Sequence, residues 1–121
     1  MAVILVVEDE PQVLSLADSV LIHAGYETVT AATLAEAQAI IQSDKKLDLV
    51  FTDITLRDEL EGGVQVGQSA SARKKLPVVY TSGRPLTDGM KELFVERSIF
   101  LPKPYTDEQL VNAIAGLLRE P

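Results

Sequence analysis

Val3-Ile4-Leu5-Val6-Val7 runs directly into Glu8-Asp9-Glu10. Five consecutive apolar residues, mostly β-branched, leave no polar face for solvent. Such a run suits a strand buried on both sides, as in a parallel sheet. The abrupt change to acid puts charge at that strand's carboxyl end. Outward from it, Val13, Ala17, Val20, Leu21 and Ala24 are spaced three or four apart. They predict a helix with Pro11 in its first turn and Gly25 ending it.

The same alternation continues. Tyr26 to Ala31 reads as an edge strand. Thr33-Leu34-Ala35-Glu36 is a capping box opening a helix on Ala37, Ile40 and Ile41. Leu49-Val50-Phe51 is a third strand, followed by a long polar loop containing Gly62-Gly63. Val64 to Lys75 is a weaker helix, diluted by Gly67 and serines. Val78-Val79-Tyr80 is a fourth strand, and Asp88 to Arg97 a helix with Met90, Leu93 and Phe94 inward. Ile99-Phe100-Leu101 is a fifth strand. Thr106-Asp107-Glu108-Gln109 opens a last helix on Leu110, Val111, Ile114, Leu117 and Leu118. The expected fold class is α/β: a (βα)5, doubly wound, five-stranded parallel sheet.

Composition narrows the function. The chain has 121 residues and a formal net charge of −7. That suits one domain over 1–121. With no Cys, thiol catalysis, zinc knuckles and disulfides are excluded. The acidic balance argues against a nucleic-acid or anionic-membrane partner. The longest apolar run is too short to span a bilayer. A cytoplasmic protein is expected.

In doubly wound sheets the functional crevice lies beyond the carboxyl ends of the strands. Glu8 and Asp9 follow the first strand, Asp53 the third, Thr81 the fourth and Lys103-Pro104 the fifth. Three carboxylates in one pocket repel one another. A hard divalent cation relieves that conflict, and Mg²⁺ is often shared with phosphate. With Lys103 and Thr81 added, the set suits receipt of a phosphoryl group on an aspartate.

These residues resemble the receiver domains of two-component response regulators, from Ala2 to Leu118. The resemblance is carried by Val7-Glu8-Asp9-Glu10, Phe51-Thr52-Asp53-Ile54, Tyr80-Thr81-Ser82-Gly83 and Phe100-Leu101-Pro102-Lys103-Pro104. It implies a flavodoxin-like strand order 2-1-3-4-5. It implies that Asp53 is the phosphoacceptor. Glu8, Asp9, Asp53 and the backbone carbonyl of Thr55 would hold Mg²⁺ or Mn²⁺. Thr81 and Lys103 would contact the phosphoryl group, Thr81 and Phe100 would switch, and the bond before Pro104 would be cis. The general rate for X-Pro is only about 5–6%.

The implied function is a phosphorylatable signalling switch in a two-component phosphorelay. A sensor histidine kinase or histidine phosphotransfer protein would donate to Asp53. A downstream protein would read the face made by helix four, strand five and helix five. The domain would catalyse its own phosphorylation and dephosphorylation without being a conventional turnover enzyme. Only Arg119-Glu120-Pro121 follow the last helix, so no output domain is expected. Two rivals are a constitutive, phosphorylation-independent docking module and a Mg²⁺-dependent phosphatase. The phosphatase would want an acid two residues after the nucleophile, where Thr55 stands.

Several features also have plainer readings. Glu8-Asp9 could be a solvated helix start, Asp53 an Asx turn, Lys103 a surface lysine and Phe100 a core aromatic. His23, near a helix end, reads as structural or surface. Tyr105 suits packing or docking equally. Glu8 is one methylene longer than the family's usual Asp. The loop Thr55 to Gly63 departs most from the family pattern.

Overall fold

The computed structural model describes residues 1–57 and 59–119. Asp58 of the polar loop and Glu120-Pro121 of the tail lie outside the described residues. The order is β1 (Val3–Val7), α1 (Pro11–His23), β2 (Glu27–Ala31), α2 (Leu34–Gln42) and β3 (Leu49–Asp53). It continues with α3 (Gly62–Lys74), β4 (Val78–Ser82), α4 (Asp88–Glu92), β5 (Ser98–Pro102) and α5 (Asp107–Arg119). The strands form one parallel sheet in the order β2-β1-β3-β4-β5.

The unbroken apolar run of β1 is explained by two cores. Val3, Leu5 and Val7 join one apolar cluster with α2 and α3. Ile4 and Val6 join the other, with Ala17 and Leu21 of α1 and Leu110, Ile114 and Leu117 of α5. Alternate side chains of a strand face opposite sides, so a strand between two helical layers needs apolar residues at every position. Both capping boxes form. Thr33 Oγ1 accepts from the Glu36 N–H at 3.1 Å, and Glu36 reaches back to the Ala32 N–H at 2.9 Å. Thr106 and Gln109 cap reciprocally at 3.1 and 2.8 Å.

The structure corrects the sequence reading in three places. Ala24, expected in the buried stripe of α1, is exposed at the helix end. The third helix begins at Gly62 rather than Val64. The fourth covers only Asp88–Glu92, not Asp88 to Arg97, and Leu93 is 42% exposed. The early stop has a cause in Tyr80. The hydroxyl of this fully buried side chain accepts the Val95 N–H at 3.2 Å, and its ring stacks on Phe94 with centroids 4.1 Å apart. The Leu93 and Phe94 N–H groups bond to Met90 and Lys91, three residues back, and the ladder ends there.

Two glycines act through close approach. A Cβ at Gly63 would lie 1.9 Å from the Asp53 carbonyl oxygen, and one at Gly67 would lie 2.2 Å from the Tyr80 hydroxyl. Gly116, by contrast, has open space around its Cβ position. Gly67→Ala is therefore expected to cost about 1–3 kcal/mol, by forcing Tyr80 from a packed site. Gly116→Ala within α5 should stabilise by roughly 0.5–1 kcal/mol. Urea unfolding of both variants checks the contrast, and equal midpoints would contradict it.

Candidate phosphoacceptor site

Parallel pairing brings the carboxyl ends of the strands to one edge. Glu8 and Asp9 follow β1, Asp53 closes β3, Thr81 and Ser82 end β4, and Lys103 follows β5. Asp53 pairs in register with Thr81, and Val7 with Thr52. The sheet thus gathers residues separated by up to 95 positions.

The Lys103 ammonium joins two of the carboxylates. Its Nζ lies 2.6 Å from Asp53 Oδ2 and 3.1 Å from Glu8 Oε2. Glu8 and Asp53 are only 4% and 7% exposed, so neither is a solvated surface acid. Burial, followed by the charge and hydrogen bond of Asp53, pushes the Glu8 carboxyl from 4.5 up to about 7, against the pull of Lys103. Burial alone would lower Lys103. Hydrogen bonding and charge from Asp53, then Glu8, outweigh it, so the ammonium is held above its ordinary range.

Asp9 completes the cluster. Glu8, Asp9 and Asp53 each offer a carboxylate oxygen within 4.8 Å of the others. All three are hard oxygen donors, and burial first, then the charge of Asp53, raise the Glu8 carboxyl by more than Lys103 lowers it. This donor set fits a hard divalent cation.

Backbone groups fix the carboxylates. Glu8 Oε1 accepts from the Glu10 N–H at 3.2 Å, and Asp53 Oδ1 accepts from the Thr55 N–H at 3.1 Å. Asp9 Oδ2 accepts from the Arg57 N–H at 2.5 Å. Arg57 has φ 33°, so the loop turns through a left-handed residue to make that bond. The Gly63 N–H donates to the Ile54 carbonyl at 2.9 Å, which packs the start of α3 directly behind Asp53. Gly62-Gly63 therefore serves packing in this structure.

The remaining predicted residues divide. Lys103-Pro104 is a cis peptide bond. Thr55 lines a pocket of about 310 Å³ with Asp9, Asp53 and Lys103. Thr81 does not face that pocket. The residue is 1% exposed, and its hydroxyl donates to the Leu101 carbonyl at 2.6 Å. A buried hydroxyl must find an acceptor, and the paired β5 residue supplies one. Phe100 is half-buried and lies in a stack, 6.4 Å from Phe94, which itself stacks on Tyr80. Tyr105 packs edge-on against Phe51, so packing is at least part of its role. His23 is exposed.

Sequence reasoning passed over Ser82, Arg57 and Arg84, which line the same pocket. Their signal was position alone: each sits within four residues of Asp53 or Thr81. It also passed over an apolar groove of about 520 Å³ between α1 and α5, lined by Val13, Leu16, Lys103, Pro104 and Tyr105. Leu16 is 69% exposed there.

The profile of the response regulator receiver domain matches residues 4–115. This chain belongs to that family. Among solved structures, a response regulator receiver protein from Sinorhizobium medicae WSM419 is 32% identical, with a TM-score of 0.89 over 97% of this chain and 94% of that one. The receiver domain of the hybrid histidine kinase CckA is 29% identical, with a TM-score of 0.80 over 98% of this chain and all of that one. The Bacillus subtilis (strain 168) transcriptional regulatory protein YrkP is 28% identical over 96% of this chain. The Escherichia coli (strain K12) transcriptional regulatory protein GlrR is 29% identical over 97%. This receiver chain spans about half the length of YrkP and about a quarter of GlrR. Among the described residues, no helix is long and apolar enough to cross a membrane.

The Glu8 carboxyl sets a pH dependence. A carboxyl raised in the folded state binds its proton more tightly there than in the unfolded chain. Its contribution is complete below the unfolded value of 4.5 and is lost as pH rises through about 7. In chelator, between about pH 5 and about pH 8, wild type should lose roughly 2 kcal/mol relative to Glu8→Gln. Urea unfolding measures this, and parallel pH curves would refute it.

Proposed function

We propose that this chain is a phosphorylatable signalling switch. A sensor histidine kinase or histidine phosphotransfer protein donates a phosphoryl group to Asp53. The reading rests above all on one observation: Lys103 sits 2.6 Å from Asp53 at the edge of a three-carboxylate cluster. That is a nucleophile beside a fixed cation, with a cation-binding donor set around it.

An Asp53 oxygen attacks phosphorus, and an O–P bond forms. The P–N bond of the phosphohistidine breaks, and its electron pair stays on the imidazole nitrogen. Asp9, Asp53 and the Thr55 carbonyl, with Glu8 directly or through water, would hold Mg²⁺ or Mn²⁺. That ion supplies charge neutralisation for the phosphoryl oxygens. Lys103 passes from the Asp53 carboxylate to a phosphoryl oxygen, keeping a charge-assisted hydrogen bond throughout.

Thr81 supplies the switch. A phosphoryl oxygen is a stronger acceptor than the Leu101 carbonyl that holds its hydroxyl in this state. Turning toward Asp53 frees that carbonyl beside Phe100. The Phe100–Phe94–Tyr80 stack then repacks, and the face of α4, β5 and α5 changes for a downstream protein. This is a population shift biased by a local change of charge.

The domain therefore acts as a cytoplasmic switch that promotes its own phosphorylation and dephosphorylation, not as a turnover enzyme. The curated relatives are transcriptional regulatory proteins by name. Within a longer protein of that kind, contact with DNA would fall to the remainder, because this domain carries a net charge of −7.

Intact-mass spectrometry after incubation with acetyl phosphate tests the acceptor. One phosphoryl adduct is expected on wild type with Mg²⁺, and none on Asp53→Asn or in chelator. An adduct that survives Asp53→Asn would sink the assignment.

Cation affinity supplies a second test. Mg²⁺ must displace the proton that Glu8 holds up to about pH 7. Its affinity should fall about tenfold from about pH 8 to about pH 6. Glu8→Gln should flatten that dependence in calorimetric titrations.

A further inference from the structure

Both backbone groups of Val95 are held by side chains. Its N–H donates to the Tyr80 hydroxyl at 3.2 Å, and its carbonyl accepts from the Ser98 hydroxyl at 2.7 Å. Just before it, α4 stops at Glu92, and the Leu93 and Phe94 amides reach back only three residues, to Met90 and Lys91. The local sequence does not impose that stop. Leu93 to Arg97 contain no Gly or Pro and suit another helical turn. In such a turn the Val95 N–H would donate to the Lys91 carbonyl, four residues back. One amide proton thus has two competing acceptors, and Tyr80 holds it in this structure.

The position of Tyr80 is closely fitted. Its side chain is fully buried, and Gly67 of α3 leaves the room its hydroxyl occupies: a Cβ there would lie 2.2 Å away. Its ring stacks on Phe94, the residue before the amide it holds, with centroids 4.1 Å apart. Phe94 in turn lies 6.4 Å from Phe100, which pairs with Tyr80 in the sheet. Thr81 follows Tyr80 directly in β4. Because α4 has no buried residue of its own, one hydrogen bond at its end competes with few other contacts.

We propose that the Tyr80 hydroxyl is a latch that keeps α4 one turn short, and that its release lets the helix extend toward Arg97 as the phosphorylated state forms. The link to phosphorylation rests on the reading of Asp53 as phosphoacceptor. When the aromatic stack repacks, the Tyr80 ring carries its hydroxyl away from Val95. The freed amide passes to the Lys91 carbonyl, and α4 gains a turn on the face offered to a partner. Tyr80 acts through α4 and is a positioning residue. A latch that favours the unphosphorylated state weakens, by linkage, the binding of any ligand that favours the other.

Tyr80→Phe keeps the ring and removes only the hydroxyl. Without ligand, the NMR Cα shifts of residues 93–97 should move toward helical values in this variant. Beryllofluoride with Mg²⁺, a mimic of the phosphoryl group, should bind about two- to tenfold tighter, the factor that one ordinary hydrogen bond is worth. Glu96 is exposed in the segment that would become helical. Adding Glu96→Gly should cancel most of the gain, because glycine disfavours the extra turn. Wild type supplies a check that survives any folding failure of the variant: beryllofluoride with Mg²⁺ should move the same shifts the same way.

Unchanged shifts at 93–97 in Tyr80→Phe would overturn the latch. So would tighter binding that Glu96→Gly leaves intact, since the helix would then not carry the effect. Wild-type shifts at 93–97 that ignore bound beryllofluoride would overturn the release step. Failure of wild type to bind beryllofluoride would instead count against the acceptor reading, and the shifts of the variant would still decide the latch.

Discussion

One ammonium group holds the functional edge together. Lys103 reaches two buried carboxylates that belong to different strands, at 2.6 and 3.1 Å. Each of those acids would be costly to leave buried without a partner. Burial first, and then their mutual repulsion, which a single cation leaves partly in place, hold the Glu8 carboxyl above its ordinary range. The site therefore carries an unmet demand for positive charge. The surrounding backbone is arranged so that the acids cannot relieve it by moving away. The Glu10, Thr55 and Arg57 amides each hold one carboxylate, and α3 is pressed against the Asp53 carbonyl with no room for a Cβ at Gly63.

That arrangement separates two functions between neighbouring residues of β4. Ser82 lines the pocket, where its oxygen shapes the loop that carries Arg84. Thr81 is turned to Leu101 and takes no part in the pocket in this state. Its neighbour Tyr80 extends the connection on the other side of the strand, through Phe94 to Phe100 and through its hydroxyl to Val95. Consecutive residues of one strand thus touch the β4–α4 loop, the β5 backbone and the segment that follows α4.

Much of this was legible in the sequence because it depends on strand period and strand ends. The double-sided burial of β1 follows from an apolar run without alternation, and the shared edge of Glu8, Asp9, Asp53 and Lys103 follows from parallel pairing. What escaped depends on partners remote in sequence. The pattern Met90, Leu93, Phe94 fits a helix, yet the Val95 amide is taken by a tyrosine fifteen residues earlier. The small residues of α3 looked like weak helix propensity, but Gly67 is the space into which that same tyrosine fits. A threonine at a strand end announces a hydroxyl, not its direction, and a β5 carbonyl decided that. Arg57 and Arg84 belong to loops whose path over the pocket no periodicity encodes.

The sheet is covered unevenly. Its centre is sealed between two apolar clusters, and every residue of β1, β3 and β4 is buried. The far edge is different: α4 is a five-residue helix with no buried residue, over a β5 strand that is mostly half-exposed. Amide exchange with solvent follows the free energy of local opening, which falls where few apolar contacts hold a segment. The protons of Lys91 and Phe94 should therefore be traded for deuterium long before those of Leu5 or Val50. The molecule keeps fully buried strands under the acids and a sparsely buried segment one strand away. A small change in charge then has a nearby segment that little energy is needed to rearrange.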